Sequence, residues 1–223
     1  MNTATNEAAD MYMSEGAPSL AIRVFSHVIS IIFHPLFIPV YVTAFLLFVH
    51  PLVFAGYDDV RKWRLLATVV VNLAFLPVVT VFLSWRLGFL SGFFLKTQKE
   101  RIIPLAAAMI FYFWCWFVLR NLTDIPAVFR DFLFGSFLTV IAGWLLNISY
   151  KISLHSLGAG GLVAFMFILL TSTDGGTAWY LALALLVAGL ICSARLIGGA
   201  HHPFEIYSGF IVGVLCQAAS LML

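Results

Sequence analysis

Apolar runs about twenty residues long recur along almost the whole chain, and few features constrain a fold more tightly. Seven can be marked, at about 26–49, 65–85, 103–120, 131–149, 155–172, 178–194 and 204–222. Each is close to the roughly 20 residues a helix needs to cross a hydrocarbon core about 30 Å thick. Backbone groups in lipid have to be satisfied within the segment, and these runs are too long and too uniformly apolar for barrel strands, so they read as helices. Only 10% of the 223 residues are charged, against about a quarter in a soluble domain, which leaves almost nothing for a second, soluble unit. The predicted fold is all-α, a polytopic transmembrane helical bundle of seven apolar helices, or six if one run does not cross. Residues 1–22 are expected to form a flexible tail and 23–223 a single transmembrane domain. Glu7, Asp10 and Glu15 with no Lys or Arg give that tail the wrong charge for a secretory signal.

Several function classes drop out early. A net charge of +2 argues against a nucleic-acid partner. Cys115, Cys192 and Cys216 all lie inside apolar runs without metal-ligand spacing, so no disulfide framework, metal site or cofactor is expected. They read as small buried hydrophobes.

The polar residues are concentrated in three breaks: "KTQKERIIP" (96–104), "YKISLHSLGAGG" (150–161) and "RLIGGAHHPFE" (195–205). Two apolar runs separate each from the next, so all three return to one membrane face. The break "TSTDGGTAW" on the other face offers one Asp and turn glycines. Ionisable groups in a membrane cost about 2.5–3.5 kcal/mol each on insertion scales and mark function by default. Counting basic residues, seven on the site face against five opposite, makes the site face cytoplasmic. If residues serving a ligand are set aside, the remainder is too small to decide orientation, and the acidic, Lys/Arg-free tail is easily exported. The expectation taken forward is a bacterial inner membrane with the site facing the periplasm.

Within the third cluster, His201 and Glu205 are four apart and share a helix face, and Pro203 suits a first helical turn. A carboxylate bonded to one imidazole nitrogen fixes the tautomer and frees the other to attack or to accept a proton. An interfacial His pair beside a snorkelling Arg195 would also fit these residues. In the second cluster, Ser153 and His155 start a helix whose N–H groups suit an anion, and Gly158, Gly160 and Gly161 permit close helix approach. Lys151 is four residues before His155 and supplies a cation or a headgroup anchor. Lys96, Lys99 and Arg101, with Pro104 opening a helix, either grip phosphate oxygens or anchor the chain among lipid headgroups. His34, before Pro35, reads as a locally satisfied residue at a kink, and His27 and His50 as interfacial.

Together these residues resemble the type 2 phosphatidic acid phosphatase family, membrane lipid phosphatases related to the vanadium haloperoxidases. The family's third motif is Ser-Arg, five residues, His, three residues, Asp. It maps onto Arg195, His201 and Glu205 with spacing intact, although Ala194 stands for the Ser and Glu205 for the Asp, so the motif region spans 193–205. The second, Pro-Ser-Gly-His, maps onto Ser153 and His155 with Ile152 and Leu154 replacing Pro and Gly. The first, Lys, six residues, Arg-Pro, fits poorly: Lys96 leads to Ile103, and Arg101 is the substitute. The resemblance covers about residues 96–223 and implies a four-to-five-helix catalytic core. By it, His201 is the nucleophile that forms a phosphohistidine, Glu205 orients it, and His155 protonates the leaving oxygen. The phosphoryl oxygens fall to Arg101, Arg195, Lys96, Lys99, Lys151 and Ser153.

The reading is a metal-independent membrane phosphatase acting on a phosphomonoester or pyrophosphate of a lipid. Its partners would be that phosphorylated lipid and the surrounding membrane lipids. Three alternatives stay open: a phosphotransferase using the same intermediate, a transporter with an Arg195–His201–Glu205 relay, and an inactive lipid-phosphate-binding homologue.

Overall fold

Pro35 and Pro39 decide how the first apolar run folds. In the computed structural model, which describes residues 19–92, 95, 97–172, 178–199 and 201–222, that run is not one helix. It forms α1 (Leu20–Ile32) and α2 (Ile38–Phe48), joined by a corner at residues 33–37. Proline cannot donate a backbone hydrogen bond and disfavours a helical residue before it, so the ladder stops at Pro35. The freed Ile32 carbonyl instead accepts from the Tyr41 hydroxyl at 2.8 Å. Ser19 caps α1, so helix starts at Leu20, inside the stretch expected to be tail; residues 1–18 lie outside the described residues.

Among the described residues, six helices are long and apolar enough to cross a membrane: α3 (Asp59–Arg86), α4 (Gln98–Arg120), α5 (Ala127–Ser149), α6 (Leu154–Ser172), α7 (Ala178–Ile197) and α8 (Pro203–Met222). The chain is a multi-pass, all-helical membrane protein, and no strand occurs among the described residues. α3 widens to π geometry at Val70–Phe75, one turn before Pro77, whose ring crowds the preceding turn. α4 begins six residues before Pro104, contrary to expectation. Thr97 and Glu100 form a reciprocal capping box there that satisfies two orphan donors and outweighs the bond Pro104 cannot make. Arg101 is therefore a helical residue in the first turn of α4.

Small residues set the register of the central pair, α6 and α8. A Cβ on Gly160 would run into the Phe210 carbonyl, and one on Gly213 into the Leu157 carbonyl, so the two backbones are in direct contact, as small-residue interfaces in membranes allow. The start of α6 is also tied to α8 by the Ser153 N–H donating to the Glu205 carbonyl at 3.2 Å. At the same end, Gln98 and Asn147 exchange side-chain to backbone hydrogen bonds at 3.0 and 2.9 Å, fastening α4 to α5. α1 packs on α7, and α2 on α3 and α6.

Candidate functional site

The turn between α7 and α8 places His201, and the first turn of α8 places Glu205. Gly199, at φ +60°, adopts the left-handed backbone this turn needs. Glu205 Oε2 accepts from the His202 N–H at 3.2 Å, holding the start of α8, and from His201 Nδ1 at 2.7 Å. His201 is buried and lines a cavity of about 850 Å³. With Nδ1 engaged by the carboxylate, Nε2 is the ring nitrogen left for that cavity. Burial pushes the His201 imidazole down to about 4, with Arg195 and Arg101 adding to the effect and Glu205 opposing it, so the ring is neutral at pH 7.

Arg101, Lys151, His155 and Arg195 line the same cavity. Arg101 is buried and donates from Nη1 to the Ile152 carbonyl at 3.1 Å and from Nε to the Leu95 carbonyl at 3.3 Å, which fixes the guanidinium plane. Arg195 Nη1 donates to Ser30 Oγ at 3.2 Å, and its Nε is buried without an acceptor among the described residues. An unpaired buried donor is costly; an anion in the cavity would satisfy it. His155 Nε2 donates to the Ser30 carbonyl at 2.9 Å, so its exchangeable nitrogen is Nδ1. Six of the nine residues singled out from sequence, His201, Glu205, His155, Arg195, Arg101 and Lys151, thus converge on one place.

The other three are placed differently. Ser153 is buried outside the cavity lining and accepts from the Ser156 N–H at the start of α6, a helix-end role. Lys99 is exposed and outside the lining, because its position in the first turn of α4 turns it away from Arg101. Lys96 lies outside the described residues. Sequence reasoning missed Ser30 and His34, which α1 and the corner after it bring against His155; the His34 and His155 rings meet edge to face with centroids 5.2 Å apart. Nothing local announces such a contact, since 125 positions separate Ser30 from its partner.

Among the described residues, no group of three or more His, Cys, Asp or Glu could hold a metal ion. Below its polar mouth the cavity is mainly apolar, walled by Leu105, Ala108, Val140 and Leu162 with Ser136 and Thr139 among them, and it reaches Tyr112, Phe132 and Gln217. Fold and site together define a multi-pass helical membrane protein with a cationic, histidine-bearing pocket at one end of its bundle. Residues 147–222 match the family model of the PAP2 superfamily, so this segment is similar to proteins of that family, and that similarity points to phosphatase-type activity. The matched segment carries Lys151, His155, Arg195, His201 and Glu205, whereas Ser30, His34 and Arg101 precede it. Neither the curated proteins nor the solved structures contain a match to the chain.

Proposed function

We propose that this protein is a metal-independent lipid phosphatase that hydrolyses a phosphomonoester or pyrophosphate of a lipid through a phosphohistidine on His201. The observation that carries the reading is the 2.7 Å His201–Glu205 pair at the mouth of a cavity whose rim holds Arg101, Lys151, His155 and Arg195. Neutral His201 Nε2 has the lone pair that attacks phosphorus, and Glu205 stabilises the imidazolium that develops as the nitrogen–phosphorus bond forms. The bond from phosphorus to the leaving oxygen breaks, and His155, protonated in the complex with the anionic substrate, gives its Nδ1 proton to that oxygen. Water then attacks the phosphohistidine and loses a proton to His155, so inorganic phosphate leaves and both rings return to their starting states. Fixed cations facing the phosphoryl oxygens stabilise both transition states without reorganising.

The apolar depth of the cavity supports a lipid over a soluble ester. Arg101 and Tyr112 are eleven residues apart on α4, about 16 Å at 1.5 Å per residue, which is close to half of a hydrocarbon core about 30 Å thick. A hydrocarbon chain spanning one leaflet would fit below a phosphate held at the rim. The same proposal places the protein in a bacterial inner membrane with the site facing the periplasm, where lipid phosphates would reach it from the outer leaflet.

The test is phosphate release by purified protein, in excess EDTA, from phosphatidate, phosphatidylglycerophosphate, undecaprenyl pyrophosphate and a lipid A phosphate. Release from at least one of them, lost in His201→Ala and largely kept in His202→Ala, is expected. Activity that disappears with EDTA and returns with Mg²⁺ would overturn the metal-independent mechanism.

A further inference from the structure

The corner between α1 and α2 does not require a histidine. Pro35 sets the bend, the Phe37 N–H donates to the His34 carbonyl at 2.8 Å, and the Tyr41 hydroxyl holds the Ile32 carbonyl at 2.8 Å. The imidazole adds one long hydrogen bond, the Leu36 N–H donating to His34 Nδ1 at 3.4 Å, and an edge-to-face contact with Phe37 at 6.1 Å that another ring could also make. An apolar side chain would complete the same turn. Yet this ring lines the cavity beside His155. Since Nδ1 accepts from backbone, the ring proton resides on Nε2, and no described residue accepts it. A half-buried donor directed at a cavity needs an acceptor from whatever fills the cavity.

A phosphoryl group presents three non-bridging oxygens, each able to accept more than one hydrogen bond. Arg101 already gives Nε and Nη1 to backbone carbonyls and Arg195 gives Nη1 to Ser30 Oγ, which leaves Arg195 Nε, the remaining guanidinium N–H groups and Lys151 to share those oxygens, and His34 Nε2 faces the same ligand from the α1 side. We propose that His34 is a third histidine of the phosphoryl pocket, donating from Nε2 to an oxygen of the bound phosphate. The assignment rests on the phosphatase reading. It also gives the α1–α2 corner a function: the corner carries Ser30 and His34 to the site together, so Ser30 holds Arg195 and His155 while His34 contacts the ligand. His34 belongs to a part of the chain that precedes the family-matched segment, so the pocket is completed by residues particular to this N-terminal region.

Two near-isosteric replacements separate a ligand contact from a turn contact. In His34→Gln the amide nitrogen can occupy the place of Nε2 but cannot accept from the Leu36 N–H. His34→Asn keeps an acceptor near Nδ1 and has nothing at the Nε2 position. With the full-length protein, kcat/KM for a lipid phosphate that wild type turns over and the affinity for orthovanadate are measured in both. A phosphoryl donor predicts that His34→Asn loses on the order of a hundredfold in both quantities, as for removal of one transition-state donor, and that His34→Gln stays at least about tenfold above it. The reverse order, or equal values, overturns the assignment and leaves His34 as part of the corner. If wild type releases phosphate from no lipid, the phosphatase reading fails on its own, and the orthovanadate comparison still decides whether His34 contacts an oxyanion.

Discussion

Glu205 carries one more methylene than the Asp of the family motif, and the geometry absorbs it. The carboxylate curls back over the first turn of α8, accepting from both the His202 N–H and His201 Nδ1 through the same oxygen. It is thus a helix cap and an orienting group at once. Glu205→Gln keeps the shape but removes the charge that supports an imidazolium and selects the tautomer. Turnover should fall by about 10³ to 10⁴, by analogy with the Asp-to-Asn change in a Ser-His-Asp triad; near-normal rates would remove Glu205 from the mechanism. A second expectation concerns pH. His201 is depressed from an ordinary 6.5 to about 4, chiefly by burial, and in the proposed mechanism its neutral form is the nucleophile. Lowering the pH from 7 through 6.5 should therefore cost nothing at His201, and the acid limb that belongs to this residue should appear only as pH approaches about 4. A limb at 6.5 would mean that the reacting imidazole is solvated like a free one. The same sign applies to stability: protons bind more readily to the unfolded chain between about 4 and 6.5, so this residue's contribution is present above 6.5 and is lost as pH falls through 4.

At the scale of single helices, the packing of α6 on α8 is what keeps His155 and His201 on one cavity. Gly160→Val should separate these helices, because the added carbons meet the Phe210 backbone rather than a flexible side chain. The expected result is loss of activity together with a thermal midpoint several degrees lower, as overpacking typically costs about 1–3 kcal/mol. By contrast, Gly189→Ala on α7 adds a Cβ with no heavy atom nearby and should leave the midpoint close to wild type. The small-residue approach of α6 was legible in the sequence because it depends on spacing within one helix, and the His201–Glu205 pair was legible from its four-residue spacing, although His201 lies in the turn just before α8 and not on its face. The start of α4 was not read correctly: Pro104 looked like an opening residue, whereas Thr97 and Glu100, three apart, were the stronger signal. That error of six residues hid the helical phase that points Arg101 inward and Lys99 outward. The corner at Pro35 was legible as a kink but not as a full break, and the destination of His34 was set by tertiary packing that no local pattern encodes.

For the molecule as a whole, what matters is where a bound lipid would lie. α1 packs on α7, and the distal half of α3 packs on α4. The cavity is lined on one side by His27 and Ile31 of α1 and on another by Pro77, Val78 and Val81 of α3, so these two elements flank the route by which a chain could enter from the bilayer. Transfer of a hydrocarbon tail from lipid into this cavity gains no hydrophobic energy, since both surroundings are apolar. The cavity can therefore select by shape and length but cannot raise affinity through burial alone. Ala108 lies on the wall seven residues beyond Arg101, about 10 Å down α4. Ala108→Phe would shorten the accessible depth there while leaving the cations and histidines of the rim in place. The quantity to measure is the ratio of kcat/KM for a long-chain over a short-chain phosphate ester in mixed micelles. A side chain that blocks the long tail should lower this ratio by on the order of tenfold, because about 1.4 kcal/mol of overpacking is enough for that factor. An unchanged ratio would mean that the tail stays in the bilayer and only the phosphate enters the bundle.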